Sequence, residues 1–154
     1  MKTFVCVVIT VLVASVAWGA TITVKKDGTG DATSVQAALA AAQNGDTIII
    51  ADSEIYEEDV TAGQAAGLVA SFTLKAAEGQ TPTNRAFNTA ERLDALGIPG
   101  TDFMGALFLG CQGVVVDGIT FDNLETAINA AGISAALALF DCSDIAIRNC
   151  TIRQ

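Results

Sequence analysis

The sequence predicts an all-β fold of the repeating, parallel kind, a β-solenoid, and three observations predict it. The segment from Cys111 to Phe121, CQGVVVDGITF, returns at an offset of 31 residues as Cys142 to Ile152, CSDIAIRNCTI. Val114 and Val116 fall on Ile145 and Ile147, and Ile119 and Phe121 fall on Cys150 and Ile152. Gly118 falls on Asn149, so each copy reads as two short apolar strands joined at a corner. Gly and Asn are the residue types that most readily enter the left-handed conformation a sharp bend requires. Finally, the chain is 51% hydrophobic, which stacked strands sharing interior columns explain. A repeat that buries one face and stacks on its neighbour to complete a core is the solenoid signature.

The opening residues stand apart from that repeat. Lys2, a run from Phe4 to Ala14 that is apolar except for Thr10, and the small residues Ala17 and Gly19 form the n-region, h-region and cleavage pattern of a secretory signal. The run is too short to span a bilayer comfortably, and the alternative is a buried first helix. Residues 1–19 are therefore expected to be removed, after Gly19 or a residue either side. Residues 20–154, about 135 in number, suffice for one domain. No other stretch is long and apolar enough for a membrane helix, so the mature chain is expected to be soluble and exported, whether secreted, at the cell surface or in a periplasm.

The formal charge is −9, and losing Lys2 makes it one unit more negative. So acidic a chain argues against nucleic acid and anionic membranes as partners, since both need Lys and Arg clusters. Histidine is absent, which removes Ser-His and Cys-His nucleophile pairs and the commonest zinc ligand. Of four cysteines, Cys6 leaves with the signal. Cys111 and Cys142 hold equivalent places in successive copies, about 4.8 Å apart in a parallel stack. That lies within the separation a disulfide tolerates, and export permits oxidation. The sequence leaves two readings open, two stacked thiols or a Cys111–Cys142 bridge. Cys150 reads as a small core residue.

Taken in order, Ile22 to Val24 reads as a strand and Asp27, Gly28 and Gly30 as a polar turn. Thr33 or Ser34 can cap a helix running to about Gln43, with Val35, Ala38, Leu39 and Ala42 on one face. Asn44-Gly45-Asp46 ends it, and Thr47 to Ile50 is the next strand. The helix is expected to cover the open end of the apolar core. Ser53 to Gly67 is polar and small, anchored only by Ile55, Tyr56 and Val60, and Ser71 to Lys75 is a strand with Phe72 and Leu74 on one face. Thr81-Pro82-Thr83 breaks the pattern. Asn84 to Met104 reads as an insertion, with a helix from Thr89 to Leu96 closed by Gly97 and followed by Pro99. Leu107 to Leu109 resumes strand character. Asp122 to Ser134 reads as a loop, with a helical turn around Thr126 to Ala130. Leu137 to Leu139 is then matched to Leu107 to Leu109 at an offset of 30, the missing residue being absorbed before Cys142. The stack is expected to be truncated at its C-terminal end, with further coils of the same chain beyond Gln154.

Several of these residues carry a family resemblance. Ile22-Thr23-Val24-Lys25-Lys26-Asp27-Gly28-Thr29-Gly30-Asp31, then Ser34-Val35-Gln36-Ala37-Ala38 and Gly45-Asp46-Thr47-Ile48, resemble the start of right-handed parallel β-helix proteins of the pectin lyase-like superfamily, and most of all the opening of pectin methylesterases. Tyr56-Glu57-Glu58-Asp59-Val60 is similar to that family's Tyr-x-Glu-x-Val, although Glu54 and Ile55 replace the usual preceding Gly. Val116-Asp117-Gly118-Ile119-Thr120-Phe121-Asp122-Asn123 is similar to its strand, corner, strand and Asn. The resemblance implies a right-handed parallel β-helix with an N-terminal capping helix. For activity it implies an Asp nucleophile, an Asp acid/base, an orienting Arg and oxyanion-stabilising Gln residues. The first of those Gln residues would stand sixteen positions before Cys150, where this chain has Ser134. The remaining catalytic positions would lie beyond Gln154. No catalytic, cofactor-binding or metal-binding residue is therefore assigned.

Other constellations have bland readings beside their sharp ones. Gly28-Thr29-Gly30 with Asp52 has part of a dinucleotide fingerprint, but Thr33 replaces the third Gly and three polar residues separate Val24 from Gly28. Asp117, Asp122, Asp141 and Asp144 would hold calcium if they converged, whereas alternation puts Asp117 outward and leaves Asp141 and Asp144 in a turn. Glu57, Glu58 and Asp59 read as a solvated run. The expectation is an exported β-helix module, non-catalytic as given, that presents a surface to polysaccharide or to the cell surface. The alternative is the front part of a pectin methylesterase-like or lyase-like enzyme.

Overall fold

Ile22, Ile48, Leu74, Val116 and Ile147 come from five different strands, yet they form one column of directly paired neighbours. That column is the clearest statement of the fold in the computed structural model, which describes residues 19–86, 103–122 and 134–153. The strands are β1 (Thr21–Val24), β2 (Asp46–Ile50), β3 (Ile55–Glu57), β4 (Val60–Ala62), β5 (Phe72–Ala76), β6 (Thr83–Arg85), β7 (Phe103–Leu109), β8 (Val115–Asp117), β9 (Thr120–Asp122), β10 (Ser134–Phe140), β11 (Ala146–Arg148) and β12 (Thr151–Arg153). Helix α1 (Val35–Ala41) lies between β1 and β2. Three sheets result, ordered β1-β2-β5-β8-β11, β3-β6-β9-β12 and β4-β7-β10. Each strand pairing is parallel. After α1 the chain visits the sheets in fixed rotation, so the expected all-β, parallel architecture is present.

Strand alternation explains what is inside. The first sheet turns Ile48, Ile50, Phe72, Leu74 and Val116 inward, all buried. The second stacks Tyr56, Asn84, Phe121 and Ile152. The third stacks Ala62, Phe108 and Leu139. Phe72 and Phe108 meet edge to face with ring centres 5.6 Å apart, which ties the first sheet to the third across the interior. In the last rung the columns end exposed: Ile152 is 58% exposed, while Phe121 beneath it is 1% exposed.

The expected corner is present. Gly118 has φ 75° and Asn149 has φ 50°, and the Gly118 N–H donates to the Arg148 carbonyl at 3.0 Å. Two further corners repeat at the same offset and were not read from the sequence. Gly110 (φ 64°) is echoed by Asp141 (φ 51°), and Gly113 (φ 71°) by Asp144 (φ 54°).

Other expectations need correction. The offset is 31 in the third sheet as well, where Leu107 pairs with Ala138 and Leu137 with Ala106. Ala106 and Phe108 face the main core, while Leu107 and Leu109 form a second small cluster. Matching leucine to leucine therefore placed Leu137 to Leu139 one residue out. Ser53 to Gly67 contains β3 and β4, because Tyr56, Val60 and Ala62 supply enough buried anchors for two three-residue strands. Asn84 and Arg85 belong to β6 rather than to the insertion. Helix α1 stops at Ala41, since Ala42 is extended and the Gln43 N–H turns to the Asp46 carboxylate at 2.8 Å. The secretory signal up to residue 18, the Thr89–Leu96 helix and the Thr126–Ala130 turn lie outside the described residues. Among the described residues, no helix is long and apolar enough to cross a membrane.

Helix α1 covers the core as expected, burying Val35, Ala38 and Leu39 and packing on β1, β2 and β4. Ser34 Oγ accepts the Ala37 N–H at 3.1 Å, and the Glu58 carboxylate accepts the N–H groups of Val35 and Gln36 at 2.7 and 3.0 Å. Three otherwise orphaned donors are thereby satisfied. The Gln36 side chain accepts from the Thr61 N–H at 2.6 Å and donates to the Thr61 carbonyl at 3.3 Å. An amide side chain thus stands in for a strand on the open edge of β4.

A Cβ at residue 118 would lie 3.2 Å from Ala76 Cβ, at positive φ. Gly118→Val is therefore expected to cost about 2 kcal/mol or more, whereas Val115→Ala at a half-buried outward position should cost about 1 kcal/mol or less. Urea titration of both variants checks this, and equal losses would remove the corner assignment.

Candidate functional site

The second sheet turns a regular polar face away from the core. Its outward positions form two columns, Ile55-Thr83-Thr120-Thr151 and Glu57-Arg85-Asp122-Arg153. Parallel register spaces the members of each column by about 4.8 Å. In the charged column each neighbour has the opposite sign, the arrangement that avoids like-charge repulsion between paired strands. Arg85 is its centre. Its Nε and Nη2 donate to Asp122 Oδ2 at 3.2 and 3.1 Å, and its Nη1 lies 3.7 Å from Glu57 Oε1. The Arg85 and Asp122 side chains are mostly buried, at 24% and 17% exposed, so the pair is partly shielded from water.

Across the Gly118–Asn149 corner the first sheet continues the pattern with Lys75, Asp117 and Arg148 in register. Asn149 Nδ2 donates to Asp117 Oδ1 at 2.8 Å, tying the corner to that column. The face therefore wraps around one edge of the stack as a lattice of carboxylates, guanidinium groups and threonine hydroxyls. Such a lattice can donate and accept many hydrogen bonds in fixed positions. Sequence reasoning missed it because Glu57, Arg85 and Asp122 recur at unequal spacings. Asp117 with Arg148, Thr120 with Thr151 and Asp122 with Arg153 share the offset of 31, and those pairs were the available signal.

The four aspartates weighed as calcium ligands do not converge. Asp117 and Asp122 lie on different sheets with Asn149 and Arg85 as partners, and Asp141 and Asp144 occupy the left-handed corners. Among the described residues, no group of three or more metal-ligating side chains comes together. The acidic run divides as well, with Glu57 facing Arg85, Glu58 capping α1 and Asp59 lying between β3 and β4. The glycine turn folds back on β1, where Lys25 N–H donates to Ala32 O and Thr23 N–H to Asp31. Asp52 accepts the Lys26 N–H and the Tyr56 hydroxyl, each at 2.8 Å. Burial first, and then that carboxylate, hold the Tyr56 phenol well above its usual range. The turn and Asp52 serve the fold. Ser134 opens β10 beside Phe103 on the third sheet, away from the sheets that carry the polar lattice.

Cys111 and Cys142 are free thiols, the first of the two readings the sequence left open. In-register strands project both side chains the same way, and the Cys142 thiol donates to the Phe108 carbonyl at 3.3 Å instead. Burial, reinforced by Cys142, pushes the Cys111 thiol from 9.0 up to about 11. Cys150 is free and packs against the core.

Comparison of the chain with protein-family models, with curated proteins and with solved structures finds no match.

The Cys111 environment has a measurable consequence. At pH 8 its thiolate fraction should be about 100-fold lower in the folded protein than in the unfolded chain, so iodoacetamide should label it correspondingly slowly. Below pH 9 both states keep the proton. Between pH 9 and about 11 only the folded state keeps it, so stability should fall as pH rises through that window. Equal labelling rates in native protein and in urea would contradict this.

Proposed function

We propose that this chain is an exported, right-handed parallel β-helix of the pectin lyase-like kind that acts as a non-catalytic module for binding polysaccharide at or outside the cell surface. One observation carries the reading: the outward face on which Glu57-Arg85-Asp122-Arg153 runs beside Thr83-Thr120-Thr151. A polysaccharide presents hydroxyl groups at a repeat of the same order as the strand spacing. A carboxylate can accept from two of them, and a guanidinium can donate to several. The formal charge of −9 repels a polyanion, which favours neutral or methyl-esterified polysaccharide over polyuronate.

A second reading is favoured by the exposed last rung, where Leu139, Phe140, Ile147 and Ile152 are 38–58% exposed. In that reading further coils stack on these residues and carry the carboxylates of a methylesterase-like or lyase-like enzyme.

Affinity electrophoresis through gels containing highly methyl-esterified pectin, and through gels containing polygalacturonate, tests the first reading. The expected result is retardation in the esterified gel only, with Kd weakened about tenfold, or 1.4 kcal/mol, in the Arg85→Gln, Asp122→Asn double variant at unchanged circular dichroism. Absent retardation, or retardation indifferent to the double variant, would overturn it. Release of methanol, or of unsaturated oligomers, from esterified pectin by a chain that carries the further coils would select the enzyme.

A further inference from the structure

Ala20 and Asp46 make a contact whose chemistry changes if residues 1–19 are removed. The Ala20 N–H donates to Asp46 Oδ1 at 2.6 Å, while Asp46 Oδ2 accepts the Gln43 N–H at 2.8 Å. Asp46 is 7% exposed, and among the described residues no Lys or Arg forms an ion pair with it. A buried carboxylate held by two neutral donors is poorly compensated. The Ala20 carbonyl accepts the Thr47 N–H at 2.8 Å, which fixes residue 20 beside the start of β2. The groove around it is lined by Ile22, Ala41, Gln43, Asn44 and Asp46, of which Asp46 alone has an ionisable side chain.

Gly19 is held tightly too. A Cβ on it would fall 1.8 Å from the Gly45 carbonyl oxygen, so the uncleaved chain can pass Gly45 in this conformation only as glycine. Gly19 and Ala20 are both exposed. Cutting after Gly19 would leave the small residues Ala17 and Gly19 in the third and first positions before the cut, as export proteases require.

We infer that Ala20 is the mature N-terminus and that its α-ammonium group forms a partly buried ion pair with Asp46, so that export processing completes the first rung. The inference rests on the reading of residues 1–19 as an export signal. The step consumes water: hydrolysis of the Gly19–Ala20 peptide bond leaves a carboxylate on Gly19 and an amine on Ala20, which takes up a proton. A neutral N–H···O⁻ bond becomes an N⁺–H···O⁻ bond, the stronger class. Asp46 thereby gains the counter-charge it lacks.

The full chain is expressed in an exporting host, and the intact mass of the product identifies its first residue. The pH dependence of labelling by 2-pyridinecarboxaldehyde, which reacts with the neutral N-terminal amine, is then measured on that product. The expected first residue is Ala20. The expected labelling midpoint lies at least about one pH unit above the usual 7.7–8.0 of an α-amine, and returns to that range in Asp46→Asn. Wild-type product unfolded in urea gives the same reference without a substitution. A product that retains residues 1–19 would overturn both the export reading and the ion pair. A product that begins at another residue near the cut would overturn the ion pair alone. So would an Ala20 product with a native midpoint equal to the unfolded one.

Discussion

A parallel strand cannot be followed by a hairpin partner, because the chain must return to the same end before it can pair again. Most proteins make that return with a crossover helix. Here it is made by the strands of the other two sheets, so each sheet supplies the connection for its neighbours. The arrangement works only if the chain can bend sharply between successive short strands. Left-handed residues provide the bends: Gly110, Gly113 and Gly118 in one circuit, and Asp141, Asp144 and Asn149 at the same three places in the next. Once the corners repeat, the register is fixed at 31 residues in all three sheets. Inward and outward columns then follow from strand alternation.

The columns divide the labour. Inside, aliphatic and aromatic side chains stack on one another, with the buried amide of Asn84 between Tyr56 and Phe121 as an exception, and each buried Leu, Ile or Phe contributes about 1.5–3 kcal/mol. Outside, the second sheet stacks opposite charges and threonine hydroxyls. The polar lattice is thus a by-product of the same register that builds the core. At the start of the stack the open edge of β4 is closed by one amide side chain, Gln36, and the end of the core by the apolar face of α1. Local hydrogen bonds from Ser34 and Glu58 hold that helix in place, which matters for a segment too short to be stable alone.

Legibility in the sequence followed the range of the signal. The Gly118–Asn149 corner and the Ser34 cap were readable because each depends on one residue type at one place. Strand β2 was readable as a nearly continuous apolar run, and β5 from Phe72 and Leu74 on one face. The two other corners were missed because Asp141 and Asp144 look like turn carboxylates, although Asp tolerates the left-handed region almost as well as Asn. Strands β3, β4 and β6 were missed because each has three residues, too few to display a period, and none is echoed by the 31-residue repeat that revealed the equally short β8, β9, β11 and β12. The charged column was illegible for a further reason: Arg85 finds Glu57 and Asp122 across connections of different lengths, and only the fold brings them into line.

Through-bond couplings across backbone hydrogen bonds, detected by a long-range HNCO experiment, test the common register most directly. The account predicts correlations from the amide of Ala146 to the carbonyl of Val114, from Thr151 to Ile119 and from Gly118 to Arg148. Correlations shifted by one residue, or pairing these strands in antiparallel fashion, would contradict it.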